Sequence, residues 1–214
     1  TTGDRFGTSI KLNADGTYIV VGAPGRDGNY EDDGVVFVYS WTGSTWSQVG
    51  SEMKRDGHAG PHATLTKFAG AGEGWCVDIS DDGKTIAVSH PYADRPIPTS
   101  MALGTVMIYE YGTVRDEDDW YRTKYFWAPW DANDPGDADR YGSHSLFGKN
   151  LSLSGDGKHI VIGEVFGSNY PGQATRTGRA WHYHKQSTSI HYGDMGNTWY
   201  HTHSAMPWDS QLAD

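Results

Sequence analysis

The chain has 214 residues and a mass of 23.6 kDa, with 36% hydrophobic and 21% charged residues, the make-up of one or two globular domains. A formal net charge of −10 argues against a nucleic-acid footprint, and no apolar run approaches the roughly 18 residues of a membrane-spanning helix. The one cysteine, Cys76, has no partner for an internal disulfide, so the fold must rest on packing. No apolar leader stands at Thr1, so any secretion signal is expected to have been removed or never included. The 28 Gly, 13 Tyr and 9 Trp, set against few leucines, point to short strands and turns rather than helical bundles.

In chain order, the first predicted unit holds strands near 8–13, 18–24, 34–41 and 45–50. Ile10 and Leu12 alternate with Ser9, Lys11 and Asn13, the period of a half-buried strand. Asp15-Gly16 then supplies the chemistry of a tight, two-residue hairpin, because glycine tolerates positive φ. The next runs, YIVVGAP and GVVFVYS, are continuously apolar or aromatic, as strands covered on both faces should be. The unit closes on a Trp-led strand at Trp46. A second unit repeats the plan around Asp82-Gly83, with GTVMIYEY from Gly104 and a closing strand at Trp120. A third does so around Asp156-Gly157, with GRAWHYHK from Gly178 and a closing strand at Trp199. The Asp-Gly pairs stand 67 and 74 residues apart, so loop length varies while the strand core does not. The turn between the third and fourth strands, short in the first unit, is expected to be long and polar in the other two.

These residues resemble a known family. FGTSIKLNADGTYIVVGAP, from Phe6, followed by GVVFVYSWTGSTWSQ, is similar to the FG-GAP repeat, the blade unit of integrin-α-like β-propellers, in its short variant. Phe6-Gly7 and Gly22-Ala23-Pro24 carry both signatures. The third unit keeps Phe147-Gly148 but has Gly163-Glu164-Val165, and the second, with Glu73-Gly74 and Ser89-His90-Pro91, departs furthest. The resemblance implies an all-β fold of three four-stranded antiparallel propeller-type blades, spanning 1–70, 71–142 and 143–214 with their connectors.

Propellers close with about four to eight blades, so three leave open faces and an apolar seam. Either the sequence is a piece of a longer chain or neighbouring subunits supply further blades. Pro129-Trp130-Asp131 recurs as Pro207-Trp208-Asp209, as though the same connector begins again. Association head-to-tail would give a ring of two chains or an open filament.

Candidate chemistry is sparse. Some FG-GAP blades carry an acidic calcium loop, but a cation wanting about six to eight oxygens finds too few at these hairpins. No cofactor is therefore expected, and calcium is considered only at the acidic run holding Asp137 and Asp139. The other acidic runs, at Asp27, Glu31, Asp32 and Asp33 and at 116–119, read as solvated loops. His182 and His184 share a face of one strand, and His201 and His203 of the next. If those strands pair, four imidazoles converge on a Zn²⁺ or Cu²⁺ site, unless a one-residue slip scatters them. Trp127, Trp130 and Trp208 fall in connectors, where they pack over a neighbouring blade, meet a partner or stack on a glycan. Asn150-Leu151-Ser152 is a glycosylation sequon that opens a strand. No nucleophile elbow, phosphate loop or HExxH is present.

The expectation is thus a non-enzymatic extracellular or cell-surface protein, structural or adhesive, acting through protein contacts with its own kind or with further blades. A lectin-like module that binds glycan is the alternative. Neither nucleic acid nor membrane insertion is expected.

Overall fold

The structure is a computed structural model, described here for residues 3–28, 33–54, 72–93, 104–114, 116–127, 146–165, 178–187 and 197–205. Its described elements are all β. The first unit comprises β1 (Ser9–Leu12), β2 (Tyr18–Ala23), β3 (Val35–Trp41), β4 (Trp46–Gln48) and β5 (Met53–Lys54). The second has β6 (Val77–Ile79), β7 (Thr85–His90), β8 (Thr105–Val114) and β9 (Glu117–Trp127). The third has β10 (Phe147–Leu153), β11 (His159–Glu164), β12 (Arg179–Ser187) and β13 (Asn197–Ala205). Each unit is an antiparallel meander in chain order. In the first, the fourth strand is split. Both β4 and β5 pair with β3, at Tyr39↔Gln48 and Val35↔Lys54, on either side of Gly50 with its positive φ.

The Asp-Gly turns are one device used three times, and they are longer than the expected two-residue hairpin. The strand ladder closes at Asn13 N–H to Tyr18 O (3.1 Å), Ser80 N–H to Thr85 O (2.9 Å) and Ser154 N–H to His159 O (2.9 Å), leaving four-residue loops. Their side chains explain the extra length. The Asp carboxylates accept from the backbone N–H two residues on: Thr17 (2.9 Å), Lys84 (2.9 Å) and Lys158 (3.0 Å). Asn13, Ser80 and Ser154 accept from the next strand's first N–H at 2.8–2.9 Å. Hydrogen bonds from Thr17 and Ser154 hold the Asp15 and Asp156 carboxyls below the ordinary carboxylate range. Glycine completes each loop at φ of 67–73°.

A second expectation is also corrected. In the second unit the turn between the third and fourth strands is not a long polar loop. β8 and β9 run on to Val114↔Glu117, with Asp116 at φ 67°, so the polar residues lengthen the ladder. In the third unit the corresponding segment, 188–196, lies outside the described residues.

The core lies between the sheets. Val20, Val36, Val38 and Met53 of the first unit pack against Val77, Ile79, Ile86, Val88, Met107 and Tyr109 of the second. Ala87, Val106, Ile108 and Phe126 on the second unit's other face pack against Phe147, Ile160, Ile162, Trp181, Tyr183 and Trp199 of the third. Burying each such aliphatic or aromatic side chain contributes about 1.5–3 kcal/mol, so these two seams dominate the stability. Ladder bonds alone would not hold three sheets together.

Candidate functional site

Both seams are built from the same positions, because each unit presents one face to the unit before it and the other to the unit after it. Counting from the Asp-Gly pairs, Leu12, Ile79 and Leu153 are equivalent, as are Ile10, Val77 and Leu151. Phe6, Glu73 and Phe147 form another such set, and Trp46, Trp120 and Trp199 occupy equivalent ladder positions near the start of the fourth strands, opposite Trp41, Tyr111 and Lys185. In the second and third units these side chains meet the preceding unit. Phe147 is fully buried, and Gly104 of the unit before it has room for no side chain, since a Cβ there would lie 2.2 Å from Phe147 O. Glu73 is likewise buried against Gly34, with which it forms a parallel bridge. Trp120 Nε1 donates to Val49 O of the first unit (2.8 Å), and Trp199 packs edge-on against Phe126 of the second. Tyr109, inside the first seam, donates to Glu73 Oε1 (2.7 Å). Burial and then the adjacent carboxylate push its hydroxyl pKa well up.

The innermost strands carry a polar tie through both seams. Buried Asp78 of β6 accepts from Leu153 N–H of the third unit (2.8 Å) and lies 3.5 Å from Lys11 Nζ of the first. Alongside it, Asn13 Nδ2 donates to Asp81 O (2.9 Å), and Asp81 N–H donates to Gly155 O (2.7 Å). Three successive turns are thereby linked.

On the first unit, the face that would meet a preceding unit is open. Phe6 is 57% exposed, Ile10 63%, Leu12 50% and Trp46 40%, where their counterparts in the later units are buried or half-buried. Phe6 rests on Phe37 (5.7 Å between ring centres), Phe37 on Tyr39 (6.3 Å) and Trp41 on Trp46 (5.4 Å). Arg26 caps Phe37. The glycines agree. A Cβ at Gly74, Gly148, Gly83 or Gly157 would press on the unit before it, at 3.0 Å or less, whereas Gly7 and Gly16 have nothing within 4 Å among the described residues. Among the described residues this face is an apolar surface with the contour of a seam.

On the third unit the opposite face is different in chemistry. Val38 and Ile108, buried in the two seams, correspond to His182, Ser40 and Glu110 to His184, and Tyr18 and Thr85 to His159. His159 Nδ1 lies 3.2 Å from His182 Nε2, with the two rings within 4° of parallel. His184 stands directly across from His159 in the ladder, and its Nε2 contacts Gln186.

β12 and β13 do pair, as the two His-X-His runs require, but the register shifts between His182 and Tyr183. His203 therefore sits opposite His182, while His201 sits opposite Tyr183. The side chains of His201 and His203 lie outside the described residues, whereas His159 joins the group by cross-strand pairing. That pairing was not legible from the strand pattern alone. Among the described residues no three His, Cys, Asp or Glu side chains converge on one ion position.

The remaining candidates are placed as follows. Trp127 is not in a connector: it ends β9, opposite Thr105, and stacks on Tyr125 (6.0 Å) because the aromatic run YFW continues the ladder. Trp130, Trp208, Asp137 and Asp139 lie outside the described residues. Asn150 is exposed on β10, at the irregularity in its pairing with β11. Asp119 Oδ1 accepts from Ser51 N–H (2.6 Å) and Trp120 N–H (2.8 Å), tying the acidic run of the second unit to the first. Cys76 is half-buried, and burial pushes its thiol pKa up.

The first unit matches a known repeat: residues 1–39 match the FG-GAP repeat. Phe147-Gly148, which stands at the position of Phe6-Gly7, is docked at the seam between the second and third units, and three antiparallel blade-like sheets follow one another along the chain. No closed propeller is formed by the described residues. Among solved structures, the chain is similar to a provisionally assigned 6-phosphogluconolactonase from Bacteroides uniformis, at 12% identity and a TM-score of 0.46, covering 92% of this chain and 39% of that one. It is also similar to a hypothetical selenium-binding protein from Sulfolobus tokodaii, at 12% identity and a TM-score of 0.40, covering 83% and 37%. The chain thus spans about two-fifths of the length of these structures. No curated protein matches it. No described helix is long and apolar enough to cross a membrane.

Proposed function

We propose that the chain is a non-enzymatic structural or adhesive repeat protein of the extracellular space or cell surface, acting by blade-on-blade contact with other copies of itself. One observation carries this reading. The open face of the first blade exposes the same positions that the second and third blades bury against their predecessors. An apolar patch of that shape is stabilised by being covered, and the third blade of a second copy presents the topologically equivalent side, with imidazoles at some of the seam positions. Such contact is heterologous, so it closes into a ring of two chains or propagates as a filament. The FG-GAP match supports the extracellular setting.

The innermost strands supply a test. Lys11 meets Asp78 across the first seam, and the equivalent residue of the third blade is Ser152. In a head-to-tail assembly Ser152 of one copy faces Lys11 of the next. With Cys76→Ser as background, Lys11→Cys and Ser152→Cys chains are mixed and treated with a short bis-maleimide. The expected product is one linked pair that forms only in the mixture. Linkage within either variant alone, or none at concentrations where the chain associates, would refute head-to-tail docking.

A further inference from the structure

The outer face of the third blade carries imidazoles where the first two blades carry seam residues, so the site argued from them belongs to the uncovered face, which docking of a second copy there would hide. We infer that His159 and His182 anchor a binding site for one late first-row transition-metal dication, of the Zn²⁺ or Cu²⁺ class. Two nitrogens on one tetrahedral zinc, each at about 2.0–2.1 Å, stand about 3.3 Å apart. His159 Nδ1 and His182 Nε2 already stand 3.2 Å apart, on nearly parallel rings held by adjacent paired strands. Little side-chain ordering is left to be lost on binding, which favours a preformed chelate.

The protons balance without an external base. In the metal-free pair one ring donates to the other, so one nitrogen facing the ion position carries hydrogen. Metal binding requires that ring to move its proton to its other nitrogen. Both imidazoles then remain neutral and each presents a lone pair to the ion.

A second observation points to the same place. His184 lies directly across from His159, with its ring centre 6.3 Å from that of His159 and 6.5 Å from that of His182. Its buried Nδ1 has no hydrogen-bond partner among the described residues. Water completes the coordination of a two-imidazole site. Nitrogen ligands without carboxylates select zinc and copper over magnesium or calcium.

The test uses the metal ion alone. ZnCl₂ is titrated calorimetrically into the apo chain at a concentration where the chain has constant mass. Cu²⁺ is followed in parallel by electron paramagnetic resonance, whose nitrogen hyperfine pattern reports bound imidazole. One equivalent is expected to bind, with affinity falling at least about tenfold in His182→Asn and in His159→Thr, the latter carrying the residue type of Thr85 at the equivalent position. Both outer-face variants should keep the parent far-UV circular dichroism, which separates loss of ligand from loss of fold. Absence of a one-equivalent site overturns the inference, as does binding that survives both substitutions.

Discussion

Phe6 and Phe147 are the same residue of the same motif with opposite environments. Phe147 is sealed between the second and third blades, while Phe6 lies on the open face against Phe37. Its contribution to the stability of one chain therefore depends on whether a blade precedes it, not on residue type. Phe147→Ala is expected to destabilise the chain by about 3–5 kcal/mol, the range for emptying a buried aromatic site. Phe6→Ala should cost less than about 1 kcal/mol in the isolated chain, because exposed side chains forfeit little. Urea unfolding of the two variants under identical conditions measures both. Equal losses would mean that the Phe6 face is already covered.

At the scale of elements, the inner strands join the blades through Asp78 as well as through apolar packing. Replacing Asp78 with Ala leaves the buried Leu153 N–H without its acceptor and removes the partner of Lys11. The expected cost is about 1–3 kcal/mol, most of it from the unsatisfied N–H, since half-exposed Lys11 can turn to water. Amide exchange of Leu153 should accelerate more than that of Val20 in the first seam. Uniform acceleration across both seams would deny Asp78 its local role.

Much of this organisation was legible in the sequence, because Asp-Gly spacing and apolar runs are local signals. Strand limits in the first blade fell within two residues of those observed. Turn length was missed because the extra loop residues are held by side-chain bonds from Asn13, Ser80 and Ser154, which no hydrophobic pattern reports. The place of Trp127 was missed because continuous aromatic runs do not mark where a strand stops. His159 was overlooked as a companion of His182 because their nearness depends on cross-strand register. The shift beside Tyr183, which separates His201 from His203 in the ladder, is equally non-local.

At the scale of the whole molecule, the asymmetry of its two outer faces is the central fact. One end offers Phe6, Ile10, Leu12 and Trp46 to solvent. The other offers His159, Val161 and Tyr200 with His182 and His184 beside them. An isologous dimer through the apolar end would hide that face and stop, whereas head-to-tail contact uses both ends. Sedimentation velocity of the chain over a wide concentration range decides between these outcomes and a stable monomer. The account predicts species at multiples of 23.6 kDa that grow with concentration or settle at a closed ring, and that collapse to one chain in Leu12→Lys. A single 23.6 kDa species at every concentration, or a dimer indifferent to the third blade's outer face, would contradict it.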